Sequence, residues 1–407
     1  MTTTTAMSNL PNDLVEDIVF RVPWKYMRAV RLTCKNWNTL FESQSFTKMH
    51  IDKEKAAAKE LGETRKVVLM DYNVYLMGIT VNENPSIQCL GKLTCQDKQV
   101  KIYKVFHCEG LLLCILKEDD TKIVVCNPYL GQTRWIQTIS FYRPTEWKGR
   151  DFFKYALGYE NYSENISFRR PKILRFIDNY SRCVNLKDAV IRYEIYSFDT
   201  DLWTTLDVTP RWRIESHCGI SLKGDTYWVA AERNAFGKLD HIICFDFTRE
   251  RFGPLLPLPF QAWRKLFASL SLVREENIAA LFQTFGCKIE IWITTKIDDE
   301  SVLWSHFFTT NMPYLDMTLS FNTFFVDEEK EVAVVFDKER NGTQNTVNIM
   351  GETGCLTKLE LGEPMNKNSL PRVCSYVPSL VQIKQHKGGK RTEVKKKKGG
   401  KRRKWSH

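Results

Sequence analysis

The side chains best suited to chemistry in this 407-residue chain are its seven histidines and twelve cysteines, which can supply general bases, nucleophiles and soft metal ligands. His50, His107, His217, His241, His306, His386 and His407 show none of the paired spacings that turn two imidazoles toward one ion, and no two cysteines form a CxxC pair. His107 and Cys108 are adjacent, so a thiol there has a base next to it in sequence. On a strand, however, neighbouring side chains point to opposite faces, which separates the two groups. The chain also lacks GxSxG, HExxH and a phosphate-binding glycine-rich loop. The residues therefore predict no catalytic site, no metal and no cofactor.

The elements carrying these residues explain them better than chemistry does. Cys108, Cys114, Cys126 and Cys244 sit in apolar, strand-like runs, which is where reduced core thiols belong. Apolar residues make up 43% of the chain, enough for a sizeable core, and 11 Trp, 15 Tyr and 24 Phe with alternating β-branched residues favour strands after about residue 66. The formal charge of +11 suggests nucleic-acid binding until it is located. Residues 384–407 hold twelve of the 59 basic and one of the 48 acidic residues, leaving 47 of each in the rest of the chain. The body is neutral and the tail carries the charge.

Along the chain, residues 1–7 are a Thr-rich leader with nothing to bury and are expected to be disordered. Within residues 8–48, Pro11 suits a first helical turn, and Leu14, Val15, Ile18, Val19 and Val22 recur at three-and-four spacing. Pro23 ends that helix, and Met27, Val30, Arg31, Cys34, Trp37, Asn38, Leu40 and Phe41 continue helical spacing, so three short helices are predicted. So small a unit has to borrow burial from a neighbour. Residues 49–65 are charged and Ala-rich and read as an exposed helical linker.

From residue 66 to 383 short strands and polar turns recur with a loose period. The hairpins IVVCNPYLGQTRWIQ, RYEIYSFDTDLWTTLD, HIICFDFTRERFGPLLPL, IEIWITTKIDDESVLWSHFF and, more weakly, NTVNIMGETGCLTKLEL are each preceded by a further strand pair or room for one. Four strands per repeat is the arithmetic of a propeller blade, and runs at 67–81 and 373–383 are positioned to build one blade between them and close the ring at five to seven blades. Trp135, Trp203, Phe252 and Trp304 mark the repeats and are expected to pack blade against blade. Residues 143–150 and 161–181 read as insertions on a surface face. The fold class is thus multidomain α + β: a small three-helix module, a mainly-β propeller-like domain and a disordered basic tail.

Leu10-Pro11, Asp13-Leu14, Ile18, Arg21-Val22-Pro23, Arg31, Cys34-Lys35 and Trp37, in that order and spacing, resemble the F-box of plant F-box proteins. HCEGLLLCI, CNPYLGQTRWI, YEIYSFDTDLW, GISLKGDTYWVA and SYVPSLVQI resemble the F-box-associated, kelch-like interaction domain that follows it in this group. The resemblance implies a non-catalytic substrate-recognition subunit of an SCF-type ubiquitin ligase. The F-box would bind a Skp-type adaptor and, through it, cullin, while the second domain holds a target protein. Carried over, the adaptor contact falls on Leu10, Pro11, Leu14, Ile18, Val22, Pro23, Leu32 and Trp37. Nothing in the loops spells a ligand chemistry, so no substrate-binding residue is assigned. After Val-Pro, where family members carry small or aliphatic residues, this chain has Trp24-Lys25-Tyr26-Met27. That departure motivates the alternative of a protein- or glycan-binding scaffold without ligase association.

In the tail, Lys395, Lys396, Lys397, Lys398, Lys401, Arg402, Arg403 and Lys404 form a cluster suited to nuclear import, or to non-specific contact with nucleic acid that would weaken steeply with salt. The longest apolar stretch, Leu111–Leu116, is too short to span a bilayer, so a cytoplasmic or nuclear location without membrane contact is expected.

Overall fold

The computed structural model describes residues 10–383 apart from 24–25, 27–29, 31–36, 38, 41–42, 94–99, 139–152, 162–168, 180–189, 215–217, 234–239, 260–264, 285–287, 312–322, 340–343 and 364–369. The leader, the basic tail and most of the second predicted helix lie outside the described residues. Two helices are present among them, α1 (Asn12–Phe20) and α2 (Gln44–Glu60), and Val30, Trp37, Thr39 and Leu40 are helical between them.

The rest forms six antiparallel sheets arranged as the blades of a propeller. Blade 2 consists of β4 (Ile102–Cys108), β5 (Leu111–Leu116), β6 (Lys122–Asn127) and β7 (Gln132–Gln137). Blade 3 consists of β8 (Lys154–Glu160), β9 (Arg170–Asp178), β10 (Ile191–Ser197) and β11 (Leu202–Leu206). Blade 4 has its inner strand in two pieces, β12 (Trp212–Ile214) and β13 (Ile220–Leu222), followed by β14 (Asp225–Glu232), β15 (His241–Asp246) and β16 (Arg251–Pro257). Blade 5 runs from β17 (Lys265–Val273) through β18 (Asn277–Thr284) and β19 (Lys288–Ile297) to β20 (Val302–Asn311). Blade 6 runs from β21 (Phe324–Asp327) through β22 (Val332–Lys338) and β23 (Asn345–Gly351) to β24 (Gly354–Gly362). Blade 1 joins both ends of the domain: β25 (Arg372–Ser375) pairs with β1 (Glu63–Met70), followed by β2 (Asn73–Thr80) and β3 (Ser86–Leu93).

Each blade has both faces covered by its neighbours, which is why its middle strands read as unbroken apolar runs; all six residues of β5 are buried. The core divides into six apolar clusters, one at each blade interface. The aromatic landmarks fill them from the outer strand toward the preceding blade. Trp203 of blade 3 donates its indole N–H to the Gln137 carbonyl of blade 2 at 3.0 Å, and Trp304 of blade 5 does the same to Pro257 of blade 4 at 3.1 Å. Phe252 stacks obliquely on Trp212 at 4.4 Å between blades 3 and 4.

Two expectations change. Residues 170–178, read as part of an insertion, are β9, a full strand of blade 3. Lys172 and Arg175 broke its apolar pattern, yet both are buried because acidic partners meet them: Glu160 and Glu250 for Lys172, and Glu194 for Arg175 at 2.5 Å. Past Ser375 the chain leaves the sheet; Asn127 donates to the Ser379 and Val381 carbonyls, both at 2.9 Å, and pins this segment onto blade 2. The close approach requires glycine at 110, where φ is +81° and a Cβ would sit 2.2 Å from that of Ser379.

Strand directions define two ends of the ring. α2 enters β1 at the end that holds the β4–β5 and β6–β7 turns. The chain between 137 and 154, 178 and 191, and 311 and 324 leaves and re-enters the strands at the opposite end.

Candidate docking surface

α1 starts at Pro11, whose carbonyl accepts the Val15 N–H at 3.1 Å, and it ends at Arg21, whose guanidinium pairs with Asp17 one turn back. At 100° per residue, Leu14, Ile18, Val15 and Val19 cover an arc of about 140°. The fold divides that arc in two. Val15 and Val19 are 7% and 0% exposed and join the cluster between blades 1 and 2, whereas Leu14 and Ile18 remain 50% and 41% exposed.

The other predicted contact residues separate accordingly. Pro11 and Pro23 are exposed, and Pro11, Leu14 and Ile18 line one strip at i, i+3 and i+7. Leu10 and Val22 are partly buried and pack on the cluster, and Trp37 is buried within it. Leu32 and the basic residues Lys395 to Lys404 lie outside the described residues.

α2 holds α1 in place. Its own N-terminus is capped by the Ser43 hydroxyl, which accepts from the Phe46 N–H, and its sequence is mostly charged. It is nevertheless not a wholly exposed linker: Phe46, Thr47, His50, Ile51 and Ala58 are buried along one edge. His50 is 0% exposed, with Phe20, Phe46 and Tyr129 around its ring at 6.0, 6.3 and 5.9 Å. Its Nε2 lies 2.9 Å from the Val22 carbonyl and its Nδ1 lies 2.9 Å from the Tyr129 hydroxyl. A carbonyl can only accept, so Nε2 carries the proton, and the neutral ring accepts from Tyr129 at Nδ1. Burial pushes the imidazole pKa below its ordinary value and favours this neutral form. One turn on, Lys53 donates to the Phe20 carbonyl at 2.8 Å and lies over the Phe20 ring. Sequence reasoning missed His50 and Lys53 as functional; the available signal was a single histidine in an otherwise charged helix.

The sequence-adjacent His107 and Cys108 face apart, as a strand requires. His107 packs against Tyr376 beside the central cavity of about 70 Å³, and its Nε2 accepts the Gly110 N–H at 2.8 Å. Cys108 points into the cluster between blades 2 and 3. Burial lowers the His107 pKa to about 3 and raises the Cys108 thiol to about 12, so both are neutral near pH 7. Among the described residues no three His, Cys, Asp or Glu side chains are grouped to hold a metal, and no helix is long and apolar enough to cross a membrane.

Residues 7–49 match the F-box domain family, and residues 65–383 match the F-box associated beta propeller domain family. Similar proteins of Arabidopsis thaliana include Peroxiredoxin-2A, 63% identical over 96% of this chain and 71% of its own length. They also include Putative F-box protein At4g10740, 60% identical over 95% of this chain and 94% of its own, and Putative F-box/kelch-repeat protein At3g22870, 48% identical over 95% and 91%.

Proposed function

The chain belongs to the F-box proteins that carry an F-box associated β-propeller domain, and from that membership we propose that it is the substrate-recognition subunit of an SCF-type ubiquitin ligase. The observation that carries this reading is the exposed strip of Pro11, Leu14 and Ile18 on a helix whose other apolar half is buried. An apolar helix face left open beside a packed one is what a partner groove takes. A Skp-type adaptor covers the strip and brings cullin; a target protein binds the end of the ring away from α2, where the longest connections between described strands leave and return. The protein contributes recognition and no catalytic step.

The peroxiredoxin name stays with that relative. Peroxide reduction needs a thiolate; burial raises the thiol pKa of Cys108, Cys244, Cys355 and Cys374, so none of these four is suited to it. The tail cluster Lys395–Lys398 and Lys401–Lys404 directs part of the protein to the nucleus from the cytoplasm.

The test is co-purification of the full chain with a Skp-type adaptor and cullin. Stoichiometric adaptor in the eluate is expected. A wild-type chain that leaves the adaptor behind would overturn the reading and leave a protein- or glycan-binding scaffold.

A further inference from the structure

We propose that His50 and Tyr129 are positioning residues that lock the adaptor-docking helix to the propeller, so that Leu14 and Ile18 are presented at one fixed orientation relative to the ring. The proposal rests on the ligase reading for its purpose, but the lock itself is testable without an adaptor. Three separate parts of the chain meet at one imidazole: the F-box main chain at Val22, the linker helix that carries His50, and the β6–β7 turn of blade 2 that carries Tyr129.

α1 needs this support. Nine residues are too few for a helix to persist alone, and its last turn contains no basic side chain to meet its free carbonyls. Part of that need is met from α2: Lys53 donates to Phe20 O, and His50 donates to Val22 O just past the helix. Hydrogen bonds to the C-terminal end of α1 therefore come from a helix that is itself held to the ring. Arg65 extends the tie at the other end of α2 by bridging Glu54 of the helix and Glu63 of β1 at 2.8 and 2.9 Å.

The groups facing the His50 ring are Phe20, Phe46, Tyr129 and the Val22 carbonyl, with the charges of Lys53 and Glu54 close by on its own helix. Among the described residues, the Tyr129 hydroxyl is the side-chain polar group that hydrogen-bonds the ring from the propeller. Tyr129→Phe removes it while keeping the aromatic packing.

Hydrogen exchange of the full-length protein reads the lock directly. In Tyr129→Phe, a stranded buried Nδ1 should make amides of α1 and the first half of α2 exchange about 5- to 100-fold faster. The amides of β5, β6 and β10 should stay at the wild-type rate, which a merely structural role of Tyr129 inside blade 2 would not allow. His50→Gln, which can still donate to Val22 O, should fall between wild type and His50→Ala. Small-angle scattering of the adaptor complex should broaden from one arrangement to a distribution in His50→Ala. Exchange in α1 unchanged within two-fold, or acceleration spread equally over the blades, would overturn the lock. Loss of adaptor binding by the wild type would instead overturn the ligase reading and leave the exchange result standing.

Discussion

Replacing Leu14 and Ile18 together by alanine separates docking from folding on a single helix. Burying a Leu or Ile side chain completely is worth about 1.5–3 kcal/mol, and about half of each is still exposed, so a partner that covers both gains roughly 1.5–3 kcal/mol in all. At 1.4 kcal/mol per decade the double variant should bind a purified Skp-type adaptor about one to two decades more weakly. Its denaturation midpoint should move less than that of a core variant, because about half of each side chain already faces water in the free protein. Val15→Ala with Val19→Ala is the opposing control. Those side chains are already sealed against the cluster of blades 1 and 2, so that variant should lose about 1–3 kcal/mol of stability per site. Calorimetric titration and urea unfolding of both variants give the four numbers. The reasoning is refuted if the Leu14/Ile18 variant binds within two-fold of wild type, or if it is the one that unfolds early.

Two further outcomes follow from buried charge. The Arg175–Glu194 pair is 2% and 3% exposed, so Glu194→Gln or Arg175→Met alone should cost about 3–5 kcal/mol in chemical denaturation, while the double change to Arg175→Met, Glu194→Leu should recover most of it. His107 accepts from Gly110 in its neutral form and titrates near 3 when folded against 6.5 when unfolded, so the unfolded chain takes up the proton first as pH falls below about 6.5. Stability should drop by about 2–3 kcal/mol between pH 7.5 and 4.5 on this account, and His107→Gln should show a drop smaller by that amount; an unchanged pH profile in the variant would exclude His107 as its source.

Much of the fold was legible because blades repeat one physical demand. A strand covered on both faces must be apolar at every position, and an outer hairpin must place an aromatic over the preceding blade; residues 111–116, Trp203 and Trp304 satisfy these rules openly. β9 was hidden because Lys172 and Arg175 are neutralised by carboxylates on other strands and turns, one of them 78 residues off, and no pattern within the strand itself reports such partners. The arc of α1 was legible as an arc, but which half of it faces water depends on where α2 and blade 2 lie. His50 was illegible for the same reason: in sequence it is a polar residue on a polar helix, and only the convergence of Val22 and Tyr129 makes it a buried one.

That convergence sits at the seam where the ring closes. β25 pairs with β1, and Lys66 donates to Ser375, 309 residues away. Because closure entropy grows only with the logarithm of loop length, joining the two ends of the domain costs little more than joining neighbouring blades. The seam still lacks the chain continuity that ties the other blades, and it is there that α1, α2 and Trp37 add their apolar side chains: Val15, Val19, Trp37, Phe46 and Ile51 share one cluster with Val67 and Leu69 of blade 1, Tyr129 of blade 2 and Tyr376 of the closing segment. The F-box thus obtains from the propeller the burial it is too small to generate, and it covers the interface between blades 1 and 2 beside the closing segment. The orientation of α1 is thus set by a cluster that also holds Tyr376, the residue that follows the closing strand β25.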